Sequence, residues 1–310
     1  MVTIFRKAER GLEQIDDLEP GTWIHLVDPQ RAEIEQLMTT VNVPEDFLLA
    51  ALDLDEMART DREDGITLII LRVPFFFGKE EDIPYKTVPF GIILTPGYLI
   101  TICKYHTAIA QDLLGYRVKE LSTSKHSRLV LQMLLVTAQR YLSYVRHIDA
   151  ATDAVEERLQ RSLRNEEVLE LLKYQKSLVY FTTGLKSNDL MMQRLQKSGL
   201  FSRYEEDEDL LEDVLTENSQ ALEMTTISEN ILSQMMDAFA SIISNNLNVV
   251  MKFLASITIV VSVPTLIASI YGMNVELPFQ GSALAFWMVM GVSLLLALIV
   301  LVILWRRDWL

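Results

Sequence analysis

The sequence predicts an α+β membrane protein, with an N-terminal α/β cytoplasmic domain, a long stalk helix and two C-terminal transmembrane helices. Half of the 310 residues are hydrophobic although 23% are charged, and residues 253–271 and 280–305 contain no Asp, Glu, Lys, Arg or His. Each of these runs is long enough to cross a hydrocarbon core of roughly 30 Å, which needs about 20 helical residues. The pattern also changes near residue 105, from strand-like runs of β-branched residues to helical spacing of the apolar residues.

These patterns divide the chain into six segments. We expect a cytoplasmic α/β domain at 1–105, a cytoplasmic helical and stalk region at 106–248, a first transmembrane helix at 249–271, an extracellular loop at 272–283, a second transmembrane helix at 284–305 and a basic cytoplasmic tail at 306–310.

The charges that flank the two apolar runs predict the orientation in the membrane. Lys252 precedes the first run and Arg306 and Arg307 follow the second, whereas residues 272–283 contain no Lys or Arg and one acid, Glu276. Since cytoplasmic loops carry the excess of Lys and Arg, both termini are expected in the cytoplasm. No apolar signal-peptide core is present near the N-terminus, so we expect a multi-pass protein of the cell membrane.

The overall charge narrows the class of partner. With 42 acids against 28 bases, the net charge is −14. Proteins that bind nucleic acids usually show a basic footprint, so we expect no nucleic-acid partner. The acidity favours cations as partners, although it also serves the solubility of a large cytoplasmic domain. Cys103 is the only cysteine, and together with His106 it supplies too few ligands for a zinc site.

The first 105 residues predict a sheet covered by helices. Runs rich in β-branched and aromatic residues predict strands at 22–28, 66–73, 88–94 and 98–103. Thr95-Pro96-Gly97 is a strong turn signal between the last two strands, and residues 79–82 form a charged hairpin-like connection. Helices are expected at 31–40 and after Pro44, because proline suits the start of a helix.

Residues 108 to 271 predict long helices. Up to about residue 200 we expect antiparallel helices, the second with Asn165 as its N-cap and Gly199 at its end. The next helix follows the acidic run 205–209, and no Pro or Gly interrupts it from Leu210 to Val263, so the stalk should continue unbroken into the first membrane span. Such a helix is roughly 90 Å long. It needs neighbours along its length, which parallel copies in a ring would supply.

One side of the first membrane helix is not uniformly apolar. The residues that share this side at helical spacing are Asn248, Met251, Leu254, Ser262, Thr265, Ser269 and Gly272. Small and hydroxylated residues suit close helix packing in a membrane, and they equally suit the lining of a pore, so both interpretations stay open. Pro264 lies inside this helix and is expected to kink it. Because two helices cannot enclose an aqueous pore, a transport function requires several copies of the chain.

Three local sequences give the chain a specific resemblance. Tyr271-Gly272-Met273-Asn274 ends the first span, Asn248-Val-Val-Met-Lys252 begins it, and the chain closes with Arg306-Arg307-Asp308-Trp309-Leu310. In these positions, with a short acidic loop and a second span between them, they resemble the CorA family of magnesium channels. The resemblance implies a homopentameric funnel, in which an inner ring of first spans is surrounded by an outer ring of second spans.

The resemblance also implies roles for single residues. The outer selectivity ring would be formed by Asn274 and the Gly272 carbonyl, which belong to the same motif as Met273. Polar rings further in would be formed by Asn248 and Thr265. Met251 and Leu254 would form an apolar constriction, Ser262 and Ser269 would face the same side, and Glu276 would be an outer-loop acid. Asp213 matches a position where regulatory magnesium binds between subunits, and its acidic partner would be Glu80, Glu81 or Asp82, by position only.

We therefore expect a passive magnesium channel that mediates influx and is gated by the intracellular cation. It would not be an enzyme and would need no cofactor, with Mg²⁺ as the transported and regulatory ion, and its partners would be further copies of itself, divalent cations and the lipid bilayer. The outer loop has Leu277-Pro278-Phe279 where many relatives carry a second acid, so a zinc or cobalt/nickel transporter of the same fold is an alternative. A non-conducting, membrane-anchored coiled-coil sensor or scaffold is another.

Overall fold

The computed structural model describes residues 1–8, 11–114, 122–161, 165–202, 204–275, 284–307 and 309. By their internal contacts, these residues divide into two compact units, Met1–Gln234 and Met235–Leu310. Each unit is described by itself below.

Within the described residues, seven strands of the first unit form one sheet. They are β1 (Val2–Ala8), β2 (Gly11–Ile15), β3 (Trp23–Val27), β4 (Arg59–Glu63), β5 (Ile66–Phe76), β6 (Tyr85–Leu94) and β7 (Leu99–Cys103). Their order across the sheet is β2-β1-β3-β7-β6-β5-β4. The β3–β7 pair is parallel and the other neighbouring pairs are antiparallel.

The helices are α1 (Arg31–Val41), α2 (Glu45–Ala50), α3 (Ala108–Leu114), α4 (His126–Arg161), α5 (Asn165–Ser198), α6 (Glu205–Tyr271) and α7 (Ala285–Arg306). The helix predicted from Leu210 to Val263 is therefore confirmed, and α6 continues past Pro264 without a break. Gly199, at a φ of 67°, directly follows α5. A left-handed residue at this position is a common way to end a helix, and glycine adopts it without steric cost.

The sheet lies between two layers of helices because successive side chains of a strand point to opposite faces. On one face, Leu68 and Ile70 of β5 pack with residues of α1 and α2. On the other face, Ile69 and Leu71 belong to a core that includes residues of α3, α4, α5 and the beginning of α6. The four predicted strands and both predicted short helices are confirmed, and the predicted α/β character of the first unit follows from this layering.

A pair of buried hydrogen bonds joins helix α5 to the backbone of β5 at Arg72. Strand β4 begins at Arg59, opposite Ile70, and so does not reach Arg72. The fully buried Asn188 of α5 takes its place, since its Nδ2 donates to the Arg72 carbonyl and its Oδ1 accepts from the Arg72 amide, both at 2.8 Å. The Tyr141 hydroxyl of α4 also donates to the Arg72 carbonyl, at 3.0 Å. Two helices are thereby fixed to the strand by hydrogen bonds as well as by apolar packing.

The second unit contains the last part of α6 and all of α7. Among the described residues, these two helices are long and apolar enough to cross a membrane. Ile267 and Tyr271 of α6 line a cleft of about 170 Å³ with Ala285, Met288 and other residues from the start of α7. The end of the α6 span therefore lies beside the start of the α7 span.

Candidate functional site

The two sides of the α6 span differ in what covers them. Residues on the side toward α7 are shielded, and Ser256 is fully buried while Val260, Val263 and Ile267 are partly buried. At 100° per residue, the residues predicted to share a polar side lie on the opposite side of the helix. All of them are exposed in the single chain, namely Asn248, Met251, Leu254, Ser262, Thr265, Ser269 and Gly272. Packing against α7 therefore does not account for these small and hydroxylated residues.

Two hydroxyl groups on this side, those of Ser262 and Thr265, share one hydrogen-bonding arrangement. Ser262 Oγ donates to the Thr258 carbonyl at 2.7 Å, and Thr265 Oγ1 donates to the Val261 carbonyl at 2.9 Å. Each hydroxyl hydrogen is used within the helix, one turn back, so the oxygen lone pairs remain available as acceptors. An acceptor of this kind suits the hydrogen atoms of water molecules that surround a cation.

The Gly-Met-Asn motif lies at the C-terminal end of α6. The Gly272 amide donates to the Ala268 carbonyl at 2.9 Å and the Met273 amide to the Ile270 carbonyl at 3.2 Å, so the last turn closes just before Asn274. Asn274 is exposed. The C-terminal end of a helix carries a partial negative charge, and the last turn of α6 contains no basic residue. This end is therefore electrostatically favourable for a cation. Glu276, the predicted outer-loop acid, lies outside the described residues.

Nearer the start of the span, Met251 and Leu254 are apolar and exposed, with 63% and 53% of their surface accessible in the single chain. Side chains of this size, repeated around a ring of helices, are able to narrow a pore and exclude water from it. Their neighbour Asn248 is also exposed and lies one turn before them. Asn248, Met251 and Leu254 therefore follow one another along one exposed side of α6, and their role as a polar ring and an apolar constriction stays a prediction.

Asp213, the predicted regulatory residue, lies on the outer side of α6 in the first unit. It is exposed, whereas Leu211 and Val214 point into the core. Among the described residues of this single chain, no group of three or more His, Cys, Asp and Glu side chains is placed to hold a metal ion. Asp213 and the three acids of the β5–β6 connection therefore do not form a complete metal site within one chain.

The three acids of that connection are not equivalent. All three are exposed, but the Asp82 carboxylate also accepts a hydrogen bond of 2.9 Å from Lys176 Nζ of α5. This hydrogen bond, the charge of Lys176 and, more weakly, the charges of Lys173 and Lys86 lower the pKa of Asp82. Sequence reasoning did not find Lys176, because 94 residues separate it from Asp82.

A second contact that the sequence did not indicate joins the α6 span to the residues that follow α7. Ser256 Oγ donates to the Trp309 carbonyl at 3.3 Å. Ser256 is a small residue like Ser262 and Ser269, but it lies on the side that faces α7, outside the predicted polar side. In the sequence, the only indication of this contact is that helical spacing places Ser256 off the predicted polar side.

Comparisons with known proteins agree with this arrangement over most of the chain. The family model described as CorA-like Mg²⁺ transporter protein matches residues 20–307. A curated relative, the cobalt/magnesium transport protein CorA of Methanocaldococcus jannaschii, is 27% identical over 297 residues, which cover 93% of this chain and 90% of the relative.

Solved structures give the same result. The complete structure of the CorA magnesium transporter from Methanocaldococcus jannaschii matches with a TM-score of 0.87 and 25% identity, covering 100% of this chain and 99% of that chain. The structure of the full-length CmaX protein matches with a TM-score of 0.71 at 17% identity, covering 99% of this chain and 96% of that chain, and shows a shared fold.

These matches confirm the predicted fold class, in which a soluble α/β domain is followed by a long helix and two C-terminal apolar helices. They also support a membrane location and, at the level of the family, the prediction that the chain is not an enzyme. The family match over residues 20–307 shows that this chain belongs to the CorA-like Mg²⁺ transporter family and is a divalent-cation transporter.

Proposed function

We propose that this protein is a passive magnesium channel that assembles as a homopentamer and mediates influx across the cell membrane. The observation that carries the proposal is the uncovered polar side of the α6 span, which lies opposite the side that packs against α7. In a ring of copies, this side would face the axis and α7 would face the lipid. Both termini would then be cytoplasmic, as the positions of Lys252, Arg306 and Arg307 indicate.

The chemistry of that side suits a hydrated ion. Magnesium loses its water ligands reluctantly and usually keeps several of them when bound. A ring of Asn274 amide oxygens would accept hydrogen bonds from those waters without replacing them, and the outward lone pairs of Ser262 and Thr265 would do the same further in. The negative end of the α6 dipole would raise the local cation concentration at the mouth. Rings of Met251 and Leu254 would close the pore when they exclude water.

We propose that intracellular magnesium regulates the channel through Asp213 and an acidic residue among Glu80, Glu81 and Asp82 from a neighbouring copy. The exposure of these acids and the absence of a complete metal group among the described residues of one chain fit a site shared between copies. Carboxylates that face one another across an empty site repel each other. A bound cation would remove this repulsion and hold the copies in a symmetric, closed arrangement, so that the transported ion inhibits its own uptake.

Cobalt is the second candidate substrate. It is favoured by one observation, the name of the relative from Methanocaldococcus jannaschii, which joins cobalt to magnesium. Hexahydrated divalent cations have the same charge and the same octahedral arrangement of water ligands. A filter that only accepts hydrogen bonds from those waters would therefore discriminate weakly between them.

The decisive experiment measures flux into liposomes that contain the purified protein and an enclosed metal indicator, with magnesium, cobalt, nickel and zinc in turn. We expect magnesium uptake that falls at least tenfold in Asn274→Ala. Asn246→Ala is the matched control, since Asn246 is an exposed asparagine of α6 that lies off the polar side, and its flux should stay within twofold of the wild type. Absence of flux for every ion, or equal flux in the two variants, would contradict the proposal.

A further inference from the structure

The basic residues of the last third of the chain all lie beside the ends of its two apolar spans. Between Glu205 and Leu310 the sequence contains three Lys and Arg residues, Lys252, Arg306 and Arg307, although this stretch begins with a strongly acidic run. Lys252 lies at the start of the α6 span, and the two arginines lie at the end of α7. We refer to these three residues as the basic end of the membrane unit.

The structure brings these residues to the same end of the helix pair. The hydrogen bond from Ser256 Oγ to the Trp309 carbonyl, at 3.3 Å, attaches the residues after α7 to α6 one helical turn beyond Lys252. The chain after α7 is also held against its own helix, because the amides of Arg307 and Trp309 both donate to the Leu304 carbonyl, at 3.1 Å. The basic end is therefore a defined surface formed by both helices of the second unit.

In the single chain, the side chains of this surface are open to solvent. Lys252, Arg306 and Arg307 are all exposed. Trp305 and Trp309 flank the arginines and are 66% and 37% exposed. The side chains of residues 252, 306, 307 and 308 sum to two net positive charges, whereas the side chains of the whole chain sum to −14.

We propose that the basic end binds the headgroup of an anionic phospholipid. A guanidinium group binds a phosphate through paired hydrogen bonds, and two adjacent arginines with a nearby lysine suit a phosphodiester that carries no compensating amine. Basic surfaces between membrane helices at the cytoplasmic boundary are typical of anionic-lipid recognition. The tryptophans favour the same depth, because indole rings concentrate at the level of the lipid headgroups.

The position of the surface decides between a lipid and another anion. It lies where the α6 span begins and the α7 span ends, so in a bilayer it is held at the headgroup level, next to a high local concentration of phosphodiesters. A soluble phosphate compound would have to compete with those headgroups. The bound lipid would span the ends of α6 and α7 and would help to hold them together.

The test is lipid retention by the full-length protein in detergent, measured by native mass spectrometry with phosphatidylglycerol or phosphatidylcholine of the same acyl chains. We expect the wild type to retain phosphatidylglycerol preferentially. Since each Lys or Arg near an anionic surface contributes about fivefold to binding, Lys252→Gln should weaken retention about fivefold and the double variant Arg306→Gln/Arg307→Gln at least tenfold.

The matched control is Arg146→Gln/Arg194→Gln, which removes the same charge from exposed positions of α4 and α5 and should retain phosphatidylglycerol like the wild type. Equal retention of the two lipids by the wild type would overturn the proposal. So would an equal loss in the control, or complete displacement of the lipid by an excess of glycerol phosphate. The measurement involves no ion flux, so its outcome is independent of the proposed channel activity.

Discussion

The contact between Asn188 and β5 allows a sharp prediction about the stability of the first unit. In Asn188→Ala, the Arg72 amide loses its acceptor at 2.8 Å, while the Arg72 carbonyl keeps the Tyr141 hydroxyl at 3.0 Å. Leaving a buried donor unsatisfied costs about 1–3 kcal/mol, and the space left by the amide of this fully buried side chain adds roughly 1 kcal/mol. We therefore expect a destabilisation of about 3 kcal/mol, which is a change of more than 100-fold in the unfolding equilibrium constant.

Hydrogen exchange of the full-length protein, followed by mass spectrometry on peptides that cover β5, measures this change. When exchange is limited by the opening equilibrium, the protected amides of β5 should exchange about 100-fold faster in the variant. Lys186→Ala is the control, because Lys186 is an exposed residue of the same helix and surface substitutions usually stay within about 0.5 kcal/mol. A change below about 1 kcal/mol in Asn188→Ala would refute the reasoning that the side chain substitutes for a missing strand partner.

Three further changes test other parts of the chain. In Gly184→Ala the added Cβ would lie 2.8 Å from side-chain atoms of β6 and α4, so thermal unfolding should show a loss of about 1–3 kcal/mol; an unchanged melting temperature would contradict this packing. Burial, and then the charge of His106, lower the pKa of His25 to about 4. Since the unfolded chain binds the extra proton more readily than the folded chain, the free energy of unfolding should fall by up to roughly 3 kcal/mol as the pH drops from about 6.5 to 4. In His25→Gln, the free energy of unfolding should change less with pH over this range. If Asp82 is a ligand of regulatory magnesium, Lys176 competes with the ion for its carboxylate, and Lys176→Gln should lower the magnesium concentration that protects against limited proteolysis. The change should be no more than about fivefold, because the ion pair is exposed. An unchanged or raised concentration would exclude competition by Lys176.

The strands that sequence reasoning missed share one property. β1, β2 and β4 are short or charged strands at the two sides of the sheet, with few buried residues. Their sequences lack a clear apolar alternation, because their backbone pairing and not their burial holds them in place. By contrast, β5 is buried on both faces and is a mostly apolar run, interrupted only by Thr67 and Arg72. It extends past the predicted end at Val73 because Pro74 still pairs in register with Thr87.

The candidate ion pathway was predicted in part. Helical periodicity identified which residues of the α6 span share a side, and the motif Gly272-Met273-Asn274 was correctly expected where α6 ends. Whether that side serves packing or a pore was open, because a single helix does not indicate where its neighbour lies. The shielding of Ser256 and its neighbours by α7 leaves the polar side free. The roles of individual residues within a ring of copies stay predictions.

By itself, the sequence determined the properties that depend on the order of residues along the chain. These are the two apolar spans, the basic residues that flank them, the unbroken helix from Leu210 and the resemblance to the CorA family. Only the tertiary structure decided which distant groups meet, such as Asn188 with Arg72, Lys176 with Asp82 and Ser256 with Trp309. The physical reason is that hydropathy and helical periodicity are local, whereas each of these hydrogen bonds joins residues far apart in the chain and depends on how whole helices pack.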